Sequence, residues 1–429
     1  MAFDFWKKKQ ENVWSPLKEA PLGYWEEKSY MAAIPERMPV DVLSNAKERL
    51  SMIPGVILSA FSPDAATKEM RFTVFYEDEE YSGGIFVTEA QVPPAPGNLF
   101  DEEEWSHLKN AQHQLTVYMG FGKKPYHAYH LHLKLLVALV PDLIAIYDES
   151  AERMVNGRWA KMAAASAATP GPNDLFMVSA VAGEDGSVWL HTHGLCRFGL
   201  TELEILDSDR EHYNDHYHVV STLAGMMLDS GETSREGGFY IGMLADRIPV
   251  LAVAVPWTKA LSEYPDLKAG GLSDRKDSHN SRTAVIFLYK SPEDQANDVH
   301  SKVSVYDDIW DENPIFYFST AETNRMSQVA RERFDSAKKA FSEGNTVLLK
   351  IGLPVDNGDD GEREHIWFEL KSLEDRGFIA TLTQEPYNVS GIHEGDDRFL
   401  SVDDITDWLV FHEKLQRRIG PDSAYLLED

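Results

Sequence analysis

The stretch WLHTHGLCRFGLTELEIL, residues 189–206, decides how the rest of this chain is read, because histidines, carboxylates and an apolar alternation coincide in it. Upstream, the apolar runs 176–181 and 188–190 flank Glu184-Asp185-Gly186-Ser187, and an Asp-Gly pair tolerates the positive φ of a tight turn. The spacing predicts a β-hairpin whose second strand carries His191 and His193 on one face and Thr192 on the other. After it, Thr201 and Glu204 stand at the separation of a capping box, which predicts a turn or helix starting there.

Toward the amino end, helical spacing covers 40–50, and strand-like runs at 56–61, 70–76 and 85–88 are separated by a Gly83-Gly84 turn. The acidic run Asp101 to Glu104 reads as the start of a solvated helix over 99–110. A strand at 115–119, a helix over 125–140 ended by Pro141, a strand at 143–147 and an alanine-rich helix over 158–168 follow. Toward the carboxyl end the pattern predicts a helix over 211–229, a hairpin over 238–256 turning near Asp246-Arg247, and strands at 283–289 and 302–306. A helix over 322–341 precedes strands at 346–353, 365–370, 377–383 and 399–402, an exposed hairpin tip at 357–361 and a last apolar segment at 405–411.

The fold class read from this pattern is α+β: a mixed helix and antiparallel-sheet amino-terminal region, followed by a helix and a small carboxyl-terminal β-barrel-like domain. The organisation expected is an arm over 1–34, an α+β region over 35–255 divisible into 35–120 and 121–255, connecting strands and loop over 256–319, a small β domain over 320–412, and a charged helix and tail over 413–429.

Forty-one Lys and Arg face 70 Asp and Glu, a net charge of -29 that repels phosphate backbones and anionic lipid surfaces. Neither nucleic acid nor a membrane is expected as partner, whereas a basic protein suits the charge. Cys196 is the one cysteine, which rules out an intramolecular disulfide and a cysteine cage for a metal. The first residues lack the apolar run of a secretory signal, so a cytoplasmic location is expected.

In the carboxyl-terminal region the segments NRMSQVARERFDSAKKAF, EHIWFEL, GFIATLTQEPYNVSGIHEGD and SVDDITDWLV resemble an uncharacterised bacterial domain, the YegJ-like family. The residues that carry the resemblance are Trp367, Gly377, Pro386, Gly391, Gly395, Asp404 and Trp408. The phrases IAIYDES and WLHTHGLCRFGLTELE resemble bacterial proteins of unknown function that share this HTHG motif, over most of 35–255. These resemblances imply domain types and no reaction.

Three groups of residues could carry chemistry. His191, His193 and Glu204 have the spacing of the JAMM-type zinc isopeptidases, which hold zinc on two histidines and an aspartate and use an upstream glutamate to activate water. Here Gly194, Thr201 and Glu204 stand where that family has proline, serine and aspartate, and Glu204 reads equally as half of a capping box. His212, His216 and His218 form a second cluster, the first pair at i, i+4 on one helical face, without the glutamate of the zincin pattern. With His127, His130 and His132 they belong to a dense run between residues 107 and 218 that holds ten of the 15 histidines, as a metal- or pH-responsive surface or as a solvated polar face. Trp367, Tyr387 and Trp408 line an aromatic binding groove or build the core of the small domain. Cys196 is a nucleophile beside those histidines or a small buried residue. No Gly-x-Ser-x-Gly, phosphate loop or dinucleotide fingerprint is present.

Two function classes follow: a non-enzymatic, protein-binding role of immunity or regulator type, and as alternative a zinc-dependent hydrolase using His191, His193 and Glu204.

Overall fold

The computed structural model describes residues 28–428 except 95–98, 184, 245–247, 276–282, 311–314, 317–319 and 357–362. Residues 1–27 of the expected arm, the turn near 246–247 and the hairpin tip at 357–361 lie outside the described residues. The described residues form two compact units: one holds those up to Gly157 and those between Pro172 and Thr320, the other Arg158–Gly171 and those from Thr320 on.

The first unit begins with a seven-stranded sheet of β1 (Ser29–Pro35), β2 (Ile57–Asp64), β3 (Glu69–Tyr76), β4 (Glu79–Glu89), β5 (His113–Met119), β6 (Leu143–Asp148) and β7 (Arg153–Asn156). The order is β2-β3-β4-β5-β1-β6-β7, and every pairing is antiparallel. Residues 29–34, grouped with the arm on sequence, are an inner strand, with Met31 to Ile34 fully buried between β5 and β6. Gly83 and Gly84 are not a turn. The chain reverses at Glu77 and Asp78, both at positive φ (50° and 62°), as a two-residue hairpin requires. The two glycines lie within β4 because Tyr118 of β5 crosses there: a Cβ on Gly83 would collide with its carbonyl oxygen, and one on Gly84 with its ring.

Helices α1 (Ala46–Ser51), α2 (Glu102–Asn110) and α3 (Pro125–Leu139) accompany this sheet. The acidic run at 101–104 acts as expected at a helix start, and more specifically: Asp101 accepts the Glu104 N–H at 2.7 Å and Glu104 accepts the Asp101 N–H at 3.0 Å, a reciprocal cap on α2. Helix α4 (Gly157–Ala165) then leads into the other unit.

The second sheet of the first unit has eight strands, β8 (Met177–Ala182), β9 (Ser187–His193), β10 (Glu202–Asp209), β11 (Phe239–Met243), β12 (Pro249–Pro256), β13 (Thr283–Tyr289), β14 (Ser301–Lys302) and β15 (Ile315–Phe316). They run in the order β15-β11-β12-β13-β10-β9-β8, with β14 on β13; β10 and β13 are parallel. Every residue of β13, TAVIFLY, is buried, so the segment expected as a connection holds an inner strand, whose continuous apolar run reflects burial on both faces. Residues 303–306 form a 3-10 turn rather than a strand. Helix α5 (Tyr213–Ser230) lays Val219, Val220, Leu223 and Met227 onto the sheet and stops at Gly231 at a φ of 69°. Three short helices follow, α6 (Trp257–Ala260), α7 (Pro292–Ala296) and α8 (Asp307–Trp310). A buried ion pair ties the two sheets together: Arg197 donates to both oxygens of Asp148 at 2.7 and 3.1 Å and to Ser29 Oγ at 3.2 Å.

In the second unit α9 (Thr320–Glu332) and α10 (Phe334–Ser342), separated at Arg333, cover one face of a six-stranded antiparallel sheet. Its strands are β16 (Thr346–Pro354), β17 (Arg363–Glu374), β18 (Gly377–Leu382), β19 (Asp397–Leu400), β20 (Ile405–His412) and β21 (Arg417–Ile419), in the order β19-β18-β17-β16-β20-β21. This corrects the barrel-like expectation. The sheet is open, with β19 and β21 as edges, and Ala330, Phe334 and Ala337 of the helices share one buried core with Leu349, Phe368 and Trp408 of the sheet. Residues 417–427 are β21 and a 3-10 stretch, Pro421–Leu427, in place of the expected helix and tail. Among the described residues no helix is long and apolar enough to cross a membrane.

Just past β6, Glu149 donates its backbone N–H to the Tyr30 carbonyl, and burial, with the Asp148 charge second, pushes its carboxyl up to about 7. A raised folded-state pKa contributes stability below the unfolded value near 4.5 that is lost as pH rises through about 7. Glu149→Gln is therefore expected to match wild type below pH 4.5 and to exceed it by on the order of 2 kcal/mol above pH 7, read by urea denaturation across pH.

Candidate functional site

The β9–β10 connection is organised by one carboxylate. Glu202, 1% exposed, accepts the Thr192 hydroxyl at 2.6 Å, the Gly194 N–H at 2.8 Å and the Cys196 N–H at 3.0 Å. Thr192 Oγ1 in turn accepts the Leu203 N–H at 2.8 Å. Gly194 at a φ of 106° and Gly199 at 79° bracket the resulting 3-10 turn, Leu195–Phe198. The capping box expected from Thr201 and Glu204 does not form. β10 starts at Glu202, and it is Glu202 that satisfies backbone donors, reaching back along the chain.

Glu204 is fully buried and occupied on both oxygens: Oε1 accepts Arg275 Nη2 at 2.7 Å and the Thr283 hydroxyl at 2.6 Å, while Oε2 accepts Trp189 Nε1 at 2.9 Å. The Arg275 guanidinium is itself fully buried, 4.4 Å from the centre of the Trp257 ring. His191 faces Glu204 across the strand pair and stacks on Trp189 at 4.2 Å; the His193 ring is 4.7 Å from His191. His191 and His193 are thus brought together, while the Glu204 oxygens are held by Arg275, Thr283 and Trp189. The glutamate that sequence could not single out beside such a pair is Glu152, whose Oε1 lies 3.8 Å from His193 Nδ1. Cys196 is buried, its N–H on Glu202.

At the far end of β10 a different group assembles. Asp209 Oδ1 accepts the N–H groups of Glu211 at 2.8 Å and His212 at 2.9 Å, and His212 Nδ1 lies 3.1 Å from both Asp209 oxygens. Asp307, at the start of α8, places Oδ2 3.7 Å from His212 Nδ1. His216, fully buried one turn into α5, orients that carboxylate. A carboxylate only accepts, so His216 Nε2–H donates to Asp307 Oδ1 at 2.9 Å and Nδ1 accepts from Ser208 Oγ at 2.9 Å. One ligand atom each from Asp209, His212 and Asp307 lies within 4.8 Å of the others, an Asp/His/Asp arrangement that can hold a metal ion.

The electrostatics of the group are mixed. Burial works against the His212 imidazolium, but the Asp209 hydrogen bond and the Asp307 charge raise its pKa above the usual value. Burial raises the Asp307 carboxyl, opposed by His216 and His212. Beside the group opens a depression of about 430 Å³ whose walls include Asp185, Asp207, Asp209 and Glu211.

The remaining sequence candidates are dispersed. His218 is exposed, edge-on to Tyr217, on the opposite side of α5 from His216. His132 donates from Nε2 to the Val117 carbonyl at 3.0 Å and is pushed down to about 4 by burial; His130 meets the Tyr76 hydroxyl at 3.4 Å and His127 is half-buried. Trp408 is core, its Nε1 donating to the Ala330 carbonyl at 2.9 Å, while Trp367 lies on the other face under Lys350 and Tyr387 is 88% exposed, so the three share no groove. Sequence reasoning missed Asp209, three residues before His212, where a D-x-x-H spacing was legible; Asp307 comes from a distant segment and offered no spacing.

Arg275→Met leaves the Glu204 carboxylate buried and uncompensated and is expected to cost about 3 to 5 kcal/mol in denaturant unfolding. Arg275→Met with Glu204→Leu is expected to recover most of that loss; a double variant as unstable as the single would contradict the pairing.

Comparison with known families follows the sheets. Residues 29–170, the first sheet, match the model described as protein of unknown function (DUF4026) N-terminal, and residues 177–287, from β8 through most of β13, match DUF4026 C-terminal. Residues 320–420 match an uncharacterized protein conserved in bacteria (DUF2314). No curated protein and no solved structure matches. The chain belongs to an uncharacterised bacterial domain family; along this chain the two parts of DUF4026 precede a DUF2314 domain.

Proposed function

We propose that this chain is a metal-dependent binding protein, which holds a divalent cation of the zinc class between Asp209, His212 and Asp307 and receives a basic partner protein on the acidic surface beside it. The observation that carries the reading is the convergence of three ligand atoms from the end of β10, the start of α5 and the start of α8 within 4.8 Å. Its second support is the buried His216, which fixes one oxygen of Asp307 and leaves the other toward His212, as outer partners of metal ligands do. Mixed imidazole and carboxylate donors suit zinc better than magnesium or calcium, which favour oxygen alone. The net charge of -29 and the carboxylates of the depression favour a Lys- and Arg-rich partner. A lone buried cysteine fits a reducing, cytoplasmic setting.

A second reading, the zinc-dependent hydrolase at His191, His193 and Glu204, is favoured by Glu152 lying against His193, where a water-activating glutamate is wanted. It requires Glu204 to leave Arg275.

Isothermal titration calorimetry of metal-stripped full-length chain with zinc is expected to give one site per chain, lost in His212→Ala with Asp307→Asn. His216→Gln is expected to bind about 10- to 100-fold more weakly. Binding that survives the first pair of substitutions but disappears in His191→Ala with His193→Ala would move the centre to the hydrolase site, and an absence of zinc binding contradicts both. For the partner, capture of a basic protein by wild type and not by Asp185→Asn with Glu211→Gln is expected; capture indifferent to these substitutions contradicts the acidic surface.

A further inference from the structure

The free edges of the three sheets differ in what they offer another chain. Among the described residues, β2 carries Pro63 and a bulge between Leu58 and Ala60, β19 carries Asp397 and Arg398, and β21 carries Arg417 and Arg418. β14 and β15 are two residues each, and β7 is buried at three of its four positions. Proline, bulges, charge, shortness and cover are the devices that keep an edge from pairing with a further strand. β8 has none of them. Its six residues, MVSAVA, hold no charge and no proline, pair with β9 in unbroken register, and leave Ala180, Val181 and Ala182 exposed.

The turn beside β8 fixes which backbone groups this edge presents. Gly183 N–H donates to the Ser187 carbonyl at 2.8 Å, so position 183 faces β9, and by antiparallel alternation 181, 179 and 177 do too. Val178, Ala180 and Ala182 therefore turn their N–H and C=O groups outward, where they meet no partner among the described residues. β8 ends at the turn of Asp185 and Gly186, and that turn is one wall of the depression in which Asp185, Asp207, Asp209 and Glu211 stand against Arg210. The Ser187 hydroxyl and then its N–H hold the Asp185 carboxyl below its usual range, so it is an anion at neutral pH.

We propose that the basic partner is received by strand addition: an extended segment of it pairs antiparallel with the free edge of β8, and Lys and Arg residues just before that segment meet the carboxylates around Asp185. This rests on the acidic surface receiving a basic partner and is independent of the metal. The charge selects the occupant. A second copy of this chain would bring another body of net charge -29 against the same acidic turn. An uncharged strand gains the backbone hydrogen bonds alone, whereas one led by Lys and Arg gains both terms. Antiparallel pairing puts the leading end of the incoming segment at the turn because β8 runs toward it. The small side chains of Ala180 and Ala182 leave room for larger apolar ones on the added strand.

The test is calorimetric titration of the full chain, in chelator, with the peptide acetyl-Lys-Arg-Gly-Val-Thr-Val-Thr-Val-amide. Saturable binding at one site per chain is expected. A strand pairs along one edge through alternate residues, so N-methylation at the fourth and sixth peptide residues and N-methylation at the fifth and seventh should act differently. One set is expected to weaken binding about tenfold or more and the other to leave it near that of the parent peptide. Gln in place of the leading Lys and Arg is expected to weaken binding roughly fivefold, an effect that shrinks as salt rises. Ala180→Pro removes an outward N–H and no bond of the β8–β9 ladder, so it is expected to lose binding while its thermal unfolding stays close to wild type. The N-methylated peptides pose the same question to the unaltered protein, so a misfolded variant cannot imitate the result. Absence of binding, or two N-methylated sets that behave alike, overturns the strand pairing even where the Gln peptide is weaker and the acidic surface stands. Sets that differ while the Gln peptide binds as well as its parent overturn the basic partner instead.

Discussion

Two carboxylates buried two positions apart on one strand, Glu202 and Glu204, set the terms for the first unit. A carboxylate withdrawn from water is costly unless its oxygens are satisfied, so each has to recruit donors. Glu202 recruits a hydroxyl and two backbone amides and thereby shapes the turn after β9. Glu204 recruits Arg275, Thr283 and Trp189 and thereby ties β9, β10, β13 and the loop before β13 into one arrangement. The turn made by Glu202 also delivers Arg197 to Asp148, which joins the two sheets. The HTHGLCRFGLTELE phrase is therefore explained first as the wiring of a fold.

That wiring is what makes the far end of β10 precise. With the strand anchored along its length, Asp209 leaves it at a defined position, His212 follows at the start of α5, and His216 is carried beneath Ser208 one turn later. Asp307 then meets two imidazoles at once, one on each oxygen. Asp209 closes a strand, His212 sits in the hydrogen-bonded turn that follows, and Asp307 opens a short helix, an arrangement that suits a ready-made metal site because a preorganised ligand set spares the ordering cost of binding.

Local signals were legible in the sequence where the chain obeys them locally. The helix of Tyr213–Ser230 and its Gly231 stop follow from apolar spacing and glycine, and the β8–β9 hairpin follows from Asp185-Gly186. His212, in the turn before α5, and His216, within its first turns, both lie against Asp307. What escaped was whatever depends on contact between distant segments. Gly83-Gly84 looks like a turn until Tyr118 is seen crossing it, and Thr201 with Glu204 looks like a capping box until Arg275 is found 71 positions away on the same carboxylate. The barrel-like reading of the last domain failed for a related reason: alternating strands specify a sheet with one apolar face, and only the docking of α9 and α10 decides that the face is covered by helices and not by curling.

The account stands or falls on where a cation goes. X-ray diffraction from zinc-soaked crystals, collected on both sides of the zinc absorption edge, measures this directly. The account predicts an anomalous peak enclosed by Asp209, His212 and Asp307, with His216 still bonded to Asp307. A peak at His191 and His193, or none within reach of Asp307, would contradict it.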